Sequence, residues 1–351
     1  ITSDGWLAEG NECDWYQVTC DGELRIIGLE LVDNMLNGTI PDELRILTDL
    51  AVIDFSQNYL KGTSGPIPVG VAESLSSLQV YRCSRNEIAG SLPDGFGTLS
   101  LLQEFAVSDN RITGSIPPSL VQLPGLELLL LGTNLLQGKI PSEFGSSGMV
   151  QFDVSQNELT GTIPEELWGN TVLEVLQLGT NKLAGTISTR LGNLLGLKEL
   201  GLSSNAFTGS IPLFLGRLSS LTSLSFAENS LAGTLRDVYS SFTSLETFDV
   251  SQNFLSGVIP SSLFNIPSLT TVSMNNNGFR GTIPSTLGNA IALENLNLYS
   301  NLLSGTVPAI PSGGLVNLLN FFLHENKLTG SMPPSICELR FEAFGSLGML
   351  W

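Results

Sequence analysis

The chain has 351 residues, 42 % of them hydrophobic and only 14 % charged, with 33 acidic side chains against 15 basic ones and a net charge of −18. Such a field repels phosphate backbones and anionic headgroups, which excludes nucleic-acid binding and adhesion to an acidic membrane surface. No apolar run approaches the ~20 residues of a membrane span, and the start at Ile1 suits a mature chain whose signal peptide is gone, or a trimmed one.

In chain order the first element is Glu12-Cys13-Asp14-Trp15-Tyr16-Gln17-Val18-Thr19-Cys20, with no second cysteine or histidine pair nearby to complete a metal site. After it a single unit recurs. Thirteen asparagines stand in register: Asn34, Asn58, Asn86, Asn110, Asn134, Asn157, Asn181, Asn205, Asn229, Asn253, Asn277, Asn301 and Asn326. Each is followed four residues later by a glycine, from Gly38 to Gly330, and nine of the twelve spacings are 24 residues. A period in the twenties means one supersecondary unit stacked many times, hence a solenoid with a long surface and no deep cleft.

Within each unit the residues five and three before the asparagine are apolar (Leu29 and Leu31, Ile53 and Phe55, Leu296 and Leu298), as is the residue two after it (Leu36, Leu60, Ile88). Apolar residues two apart predict a short strand with one buried face. The asparagine amide both donates and accepts, so it can satisfy backbone groups of adjacent turns. The glycine opens a conformation closed to residues with a Cβ. An Ile-Pro pair usually follows, as at Ile116-Pro117 and Ile283-Pro284, and a stretch of the form x-x-Leu-Gly-x-Leu returns the chain to the next strand.

Written as L-x-x-L-x-L-x-x-N-x-L-x-G-x-I-P, the unit resembles the plant-specific class of leucine-rich repeats over residues 26 to 340. The resemblance extends to ectodomains of plant receptor kinases, polygalacturonase-inhibiting proteins and secreted repeat proteins of diatoms and related algae. It implies an α/β solenoid: a right-handed superhelix of about thirteen repeats of 24 residues, with a parallel β-sheet on its concave face roughly 60 Å long. It also implies three segments, an amino-terminal cysteine cap over 1–25, repeats over 26–334 and a capping segment over 335–351. Two cysteines flanking a tryptophan resemble the cap of extracellular members. A Cys13–Cys20 disulfide is therefore implied, with Trp6 and Trp15 shielding the apolar end, in an oxidising compartment.

The period is broken by four extra residues around Thr63-Ser64-Gly65-Pro66, expected to bulge as a convex loop. It runs one residue short near Gly145-Ser146-Ser147-Gly148 and one long near Pro311-Ser312-Gly313-Gly314, while Ile187-Ser188 and Leu235-Arg236 replace Ile-Pro. Cys83 falls at an inward strand position and is expected to be a buried free thiol. Cys337 lies about ten strand spacings away, too far to bridge to it. The apolar tail Phe341–Trp351 suits a cover for the last turn, and a polypeptide continuing past Trp351 is expected to supply a partner for Cys337.

Catalysis is not expected, because the lone histidine, His324, has no nucleophile, zinc or phosphate-loop motif beside it. No cofactor is called for either, since the glycines follow the repeat period and form no dinucleotide fingerprint. The variable surface carries the function. Fourteen acids occupy outward positions, opposed by Arg82, Arg85 and Lys198 alone, so a cationic protein, peptide or surface is the expected partner. Large outward side chains gather late in the chain: Tyr299 and His324 should be adjacent, with Phe322 alongside and Asn275, Asn295, Asn297 and Asn320 around them. Exposed aromatics ringed by amides suit a peptide or a sugar; the alternative is that the carboxy-terminal tail, or a further domain, folds over Phe322. A second candidate is the Asp54, Arg82, Arg85 cluster. Asn37-Gly38-Thr39 is the one conventional glycosylation sequon, on the turn leaving the first strand. The expected function is extracellular protein or peptide recognition; the alternatives are an adhesive or structural assembly subunit and a secreted enzyme inhibitor.

Overall fold

The computed structural model describes residues 11–143, 148–311 and 313–337. Trp6, residues 144–147, Ser312 and the tail Phe341–Trp351 lie outside the described residues, as do the expectations placed on them. The chain divides into two compact units, Ile1–Leu173 and Glu174–Trp351.

In the first unit the cap strand Val18–Cys20 runs antiparallel to Ile26–Glu30, with Val18 opposite Leu29 and Thr19 opposite Gly28. It pairs the backbone edge that the first repeat would otherwise present to solvent. Cys13 and Cys20 are disulfide-bonded, and Asn11 caps the short helical turn Glu12–Asp14 by accepting from the Cys13 amide at 3.0 Å. Parallel strands follow, one per repeat: Val52–Asp54, Val80–Arg82, Glu104–Ala106, Leu128–Leu130 and Gln151–Asp153. Each residue pairs with its equivalent one repeat on, as Ile53 with Tyr81 and Tyr81 with Phe105.

The second unit repeats the arrangement with Val175–Gln177, Glu199–Gly201, Ser223–Ser225, Thr247–Asp249, Thr271–Ser273, Asn295–Asn297 and Asn320–Phe322. The middle residue of each strand is inward: Leu200, Leu224, Phe248, Val272 and Leu296 are all 0–1 % exposed. Burial of side chains this size contributes roughly 1.5–3 kcal/mol each. The return path is a single 3-10 turn. Leu213–Arg217 starts after Pro212, whose fixed φ and missing N–H cost nothing at a helix start, and ends with Leu218 buried.

The asparagine acts as expected. In the second unit Asn205 Nδ2 donates to Leu178 O, Leu202 O and Ser203 O at 3.0, 3.3 and 3.1 Å, and its Oδ1 accepts from Leu183 N at 2.9 Å. Two features were not anticipated. The residue before every repeat asparagine is left-handed, with φ between 52° and 59° from Asp33 to Glu325, although none is glycine. The turn is held against that strain by a ladder of amides, such as Ser204 N to Ala227 O at 2.9 Å. The segment after the asparagine is itself a strand, not a bare turn. In the first unit Asn37–Gly38, Tyr59–Gly62, Glu87–Ser91 and Arg111–Thr113 form a second parallel sheet. Asn37 is therefore an exposed strand residue.

The insertion does not bulge freely. Gly65 N donates to Ala89 O at 3.0 Å, the fully buried Tyr81 hydroxyl donates to Pro66 O, and Ile67 is 0 % exposed. Tyr81 stacks on Phe105 at 5.5 Å, and Phe96 meets Phe105 edge-on at 5.2 Å, so the extra residues are anchored on an aromatic cluster. Cys83 is buried and free, and burial pushes its thiol well above the ordinary range; Cys337 is exposed and free.

Candidate recognition surface

The sheet face of the second unit collects the late aromatic residues. Tyr299 and His324 occupy equivalent places in successive repeats, and their rings stack with centroids 4.7 Å apart and planes within 4°. Asn276 Nδ2 donates to the Tyr299 hydroxyl at 2.8 Å, fixing the ring from one side. His324 Nδ1 is buried without a hydrogen-bond partner. Phe322 pairs in register with Asn297, two residues before Tyr299, and is half-buried; among the described residues it makes no ring contact.

The amides are ordered rather than free. Asn320 donates to Asn295 at 2.6 Å, Asn295 to Thr271 at 3.4 Å, and Asn297 Oδ1 accepts from Tyr299 N at 3.4 Å. Asn275 differs from expectation: it is 6 % exposed, a floor residue and not a rim contact. It was placed outward by strand alternation, but its short side chain shares a column with Tyr299. Asn276 was not anticipated at all.

The other candidate separates into two pairs. Arg82 binds Glu104 through both carboxylate oxygens at 2.6 and 2.7 Å and reaches Asp54 at 3.6 Å. The hydrogen bonds it donates to Glu104 hold the Arg82 guanidinium above its usual pKa. Asp54 is 8 % exposed and accepts from Ser56 N. Arg85 instead faces Asp109 at 3.8 Å. The reason is register: Arg85 belongs to the crest beyond the strand, in the column of Asp109. This cluster neutralises itself and leaves little for a ligand.

Several acids of the second unit are also engaged, Glu174 with Lys198 at 2.6 Å and Asp249 with Ser251. Glu246 and Glu294 are exposed and have no side-chain partner among the described residues. Their field lies on the same face as the ring stack.

The Leucine Rich Repeat family model matches residues 101–123, 196–218, 244–266 and 268–290. The fold is a leucine-rich-repeat solenoid. Its relatives include plant receptor ectodomains. Phytosulfokine receptor 1 of Arabidopsis thaliana is 30 % identical over 95 residues, which are 26 % of this chain and 9 % of that protein. The ectodomain of the Arabidopsis receptor kinase HAESA, solved with an extended IDA peptide hormone, is 27 % identical with a TM-score of 0.83 over 97 % of this chain. The repeat chain spans 60 % of that ectodomain. A plant ice-binding protein is 26 % identical with a TM-score of 0.60, covering 94 % of this chain and 91 % of its own. Among the described residues no helix is long and apolar enough to cross a membrane.

Proposed function

We propose that the chain is an extracellular recognition module that binds a basic peptide or protein segment on the sheet face of its second unit. The observation that carries this reading is the Tyr299–His324 stack, locked by Asn276, with the unpartnered Glu246 and Glu294 immediately before strands of the same sheet. A rigid aromatic platform loses little entropy on binding, and unpaired acids on the same sheet favour cationic partners. The peptide held by the HAESA ectodomain supports the same use of this fold. Assembly with copies or wall components, and inhibition of a secreted enzyme, rest on no comparable feature.

The test is a Tyr299→Ala variant titrated calorimetrically against peptides selected on the native chain from a display library. Removal of the platform is expected to weaken binding by about 2 kcal/mol, some thirtyfold. Unchanged affinity would discard the patch.

We infer a second reading from the other sheet. In the second unit the residues just after the repeat glycine are Thr186, Ser210, Thr234, Val258, Thr282, Thr306 and Ser331, all exposed. The methyls of Thr186, Thr234, Thr282 and Thr306 lie over the next repeat's glycine, 2.8 to 3.0 Å from where a Cβ would stand, so they point the same way in each repeat. A file of aligned hydroxyls and methyls at a strand spacing of about 4.8 Å suits an ordered water lattice. The likeness to the plant ice-binding protein favours this reading. Micromolar protein should then suppress ice recrystallisation, and Thr234→Lys with Thr282→Lys should abolish the effect. Growth of ice grains at the rate of a buffer control would end this reading.

A further inference from the structure

We propose that an open slot at Gly278 takes one aromatic or large aliphatic side chain of the same basic peptide that lies over the Tyr299–His324 stack. This rests on the peptide-recognition reading.

In the second unit the residue immediately after each repeat asparagine begins the second strand. In the second unit the strands Phe254–Gly257, Gly278–Gly281 and Leu302–Gly305 are successive neighbours. Phe254 is 70 % exposed, while Gly278 on the next strand, in register with Ser256, has no side chain; Leu302, 46 % exposed, pairs with Arg280. Gly278 lies in an open surface depression of about 400 Å³ lined also by Phe254, Ser256, Asn276 and Ser300. The backbone does not demand glycine here, because Gly278 is absent from the residues with positive φ, unlike Gly257 and Gly281. The equivalent places carry side chains at Lys182, Ala206, Ser230 and Lys327. The glycine therefore makes space and serves no turn.

The slot and the ring stack share a residue. Asn276 lines the slot and donates to the Tyr299 hydroxyl at 2.8 Å. Gly278 lies three positions after Asn275, in the Tyr299 column, a span of about 10 Å at most, which a few residues of extended peptide cover. The crest between them reads Glu228, Gln252, Asn276, Ser300, Glu325, so an acid stands on either side of the slot mouth. Glu246 and Glu294 lie on the face beyond. The cation Arg280 is exposed two residues along the strand from Gly278, and Lys327 is exposed in the Gly278 column two repeats on. This distribution draws a peptide's basic residues to the face and crest and leaves the slot, walled by Phe254, for its apolar anchor.

The experiment selects random twelve-residue peptides on the native chain by display and measures the winners by calorimetry on native protein, Gly278→Leu, Phe254→Ser and Tyr299→Ala. An added Cβ at 278 would stand 3.1 Å from Leu255 O, so circular dichroism checks that variant, and Phe254→Ser, at an exposed site, serves if it misfolds. Winners should carry lysine or arginine around one large apolar residue. Gly278→Leu and Phe254→Ser should each weaken them about tenfold, and peptides with that residue changed to alanine should no longer distinguish native from Gly278→Leu. Winners that bind both slot variants as tightly as native protein, yet lose affinity on Tyr299→Ala, overturn the slot and leave the recognition reading standing. Losses at the slot variants alone would move the recognition site off the ring stack. A selection that yields no winners overturns both.

Discussion

Replacing Asn229 with leucine is expected to lower the stability of the second unit by about 4 kcal/mol. Asn229 is 9 % exposed, and its Nδ2 donates to Leu202 O, Phe226 O and Ala227 O at 3.0, 3.1 and 3.0 Å. Its Oδ1 accepts from Phe207 N at 3.0 Å. The four contacts are not equivalent. Each carbonyl keeps one other donor: Leu202 O from Asn205, Phe226 O from Asn253, and Ala227 O from Ser204 N. Phe207 N has no such second partner and would be left as a buried donor, at a cost of about 1–3 kcal/mol. Three weakened carbonyls add roughly 0.5–1 kcal/mol apiece. Because repeat stability is largely a sum of local and nearest-neighbour terms, the loss should be local. Hydrogen exchange should show the Phe207 amide losing the most protection. The exposed Asn193→Ala should change stability by less than about 0.5 kcal/mol. Equal effects of the two substitutions would remove the asparagine ladder from the account of stability.

The same ladder explains what was legible in the sequence. Alignment on the repeat asparagines, here 25 residues apart, and a two-residue side-chain alternation suffice to put Tyr299 beside His324, because parallel strands in register conserve both. They also place Cys83 inside. Asn276 could not be found in this way. It belongs to the left-handed column, whose members include Asp33, Arg85, Thr133 and Ser300, and so many residue types in one place carry no signature. The backbone there is set by the amide ladder and not by side-chain preference. The second sheet was hidden for a related reason: its strands offer one apolar residue next to a glycine, as Phe279 before Gly281, too little for a period of two to show. Burial of Asp54 depends on the path Arg82 takes between two carboxylates, which alternation does not specify. The Gly278 slot was visible only as an ordinary glycine until the φ values separated it from the glycines that the turns require.

Those required glycines give a second large effect that can be divided into its causes. Gly257 has φ of 86°, and an added Cβ would stand 2.8 Å from Thr234 Cγ2 and 3.2 Å from Thr234 Cβ. Gly233 has nearly the same φ, 88°, but its added Cβ would meet only Ser210 Cβ at 3.5 Å, an ordinary contact. Gly233→Ala thus measures the left-handed conformation alone, expected at about 1–2 kcal/mol. Gly257→Ala adds the methyl clash and is expected at roughly 3 kcal/mol, since a crowded methyl forces a shift worth about another 1 kcal/mol. Changing Thr234 to serine in the Gly257→Ala background removes the Cγ2 atom but not the strain in φ. The pair should therefore recover about 1 kcal/mol and no more, a coupling that a double-mutant cycle in urea reads directly. Additive substitutions would mean that the threonine methyl moves aside without cost, and that the loss at Gly257 comes from the left-handed backbone alone.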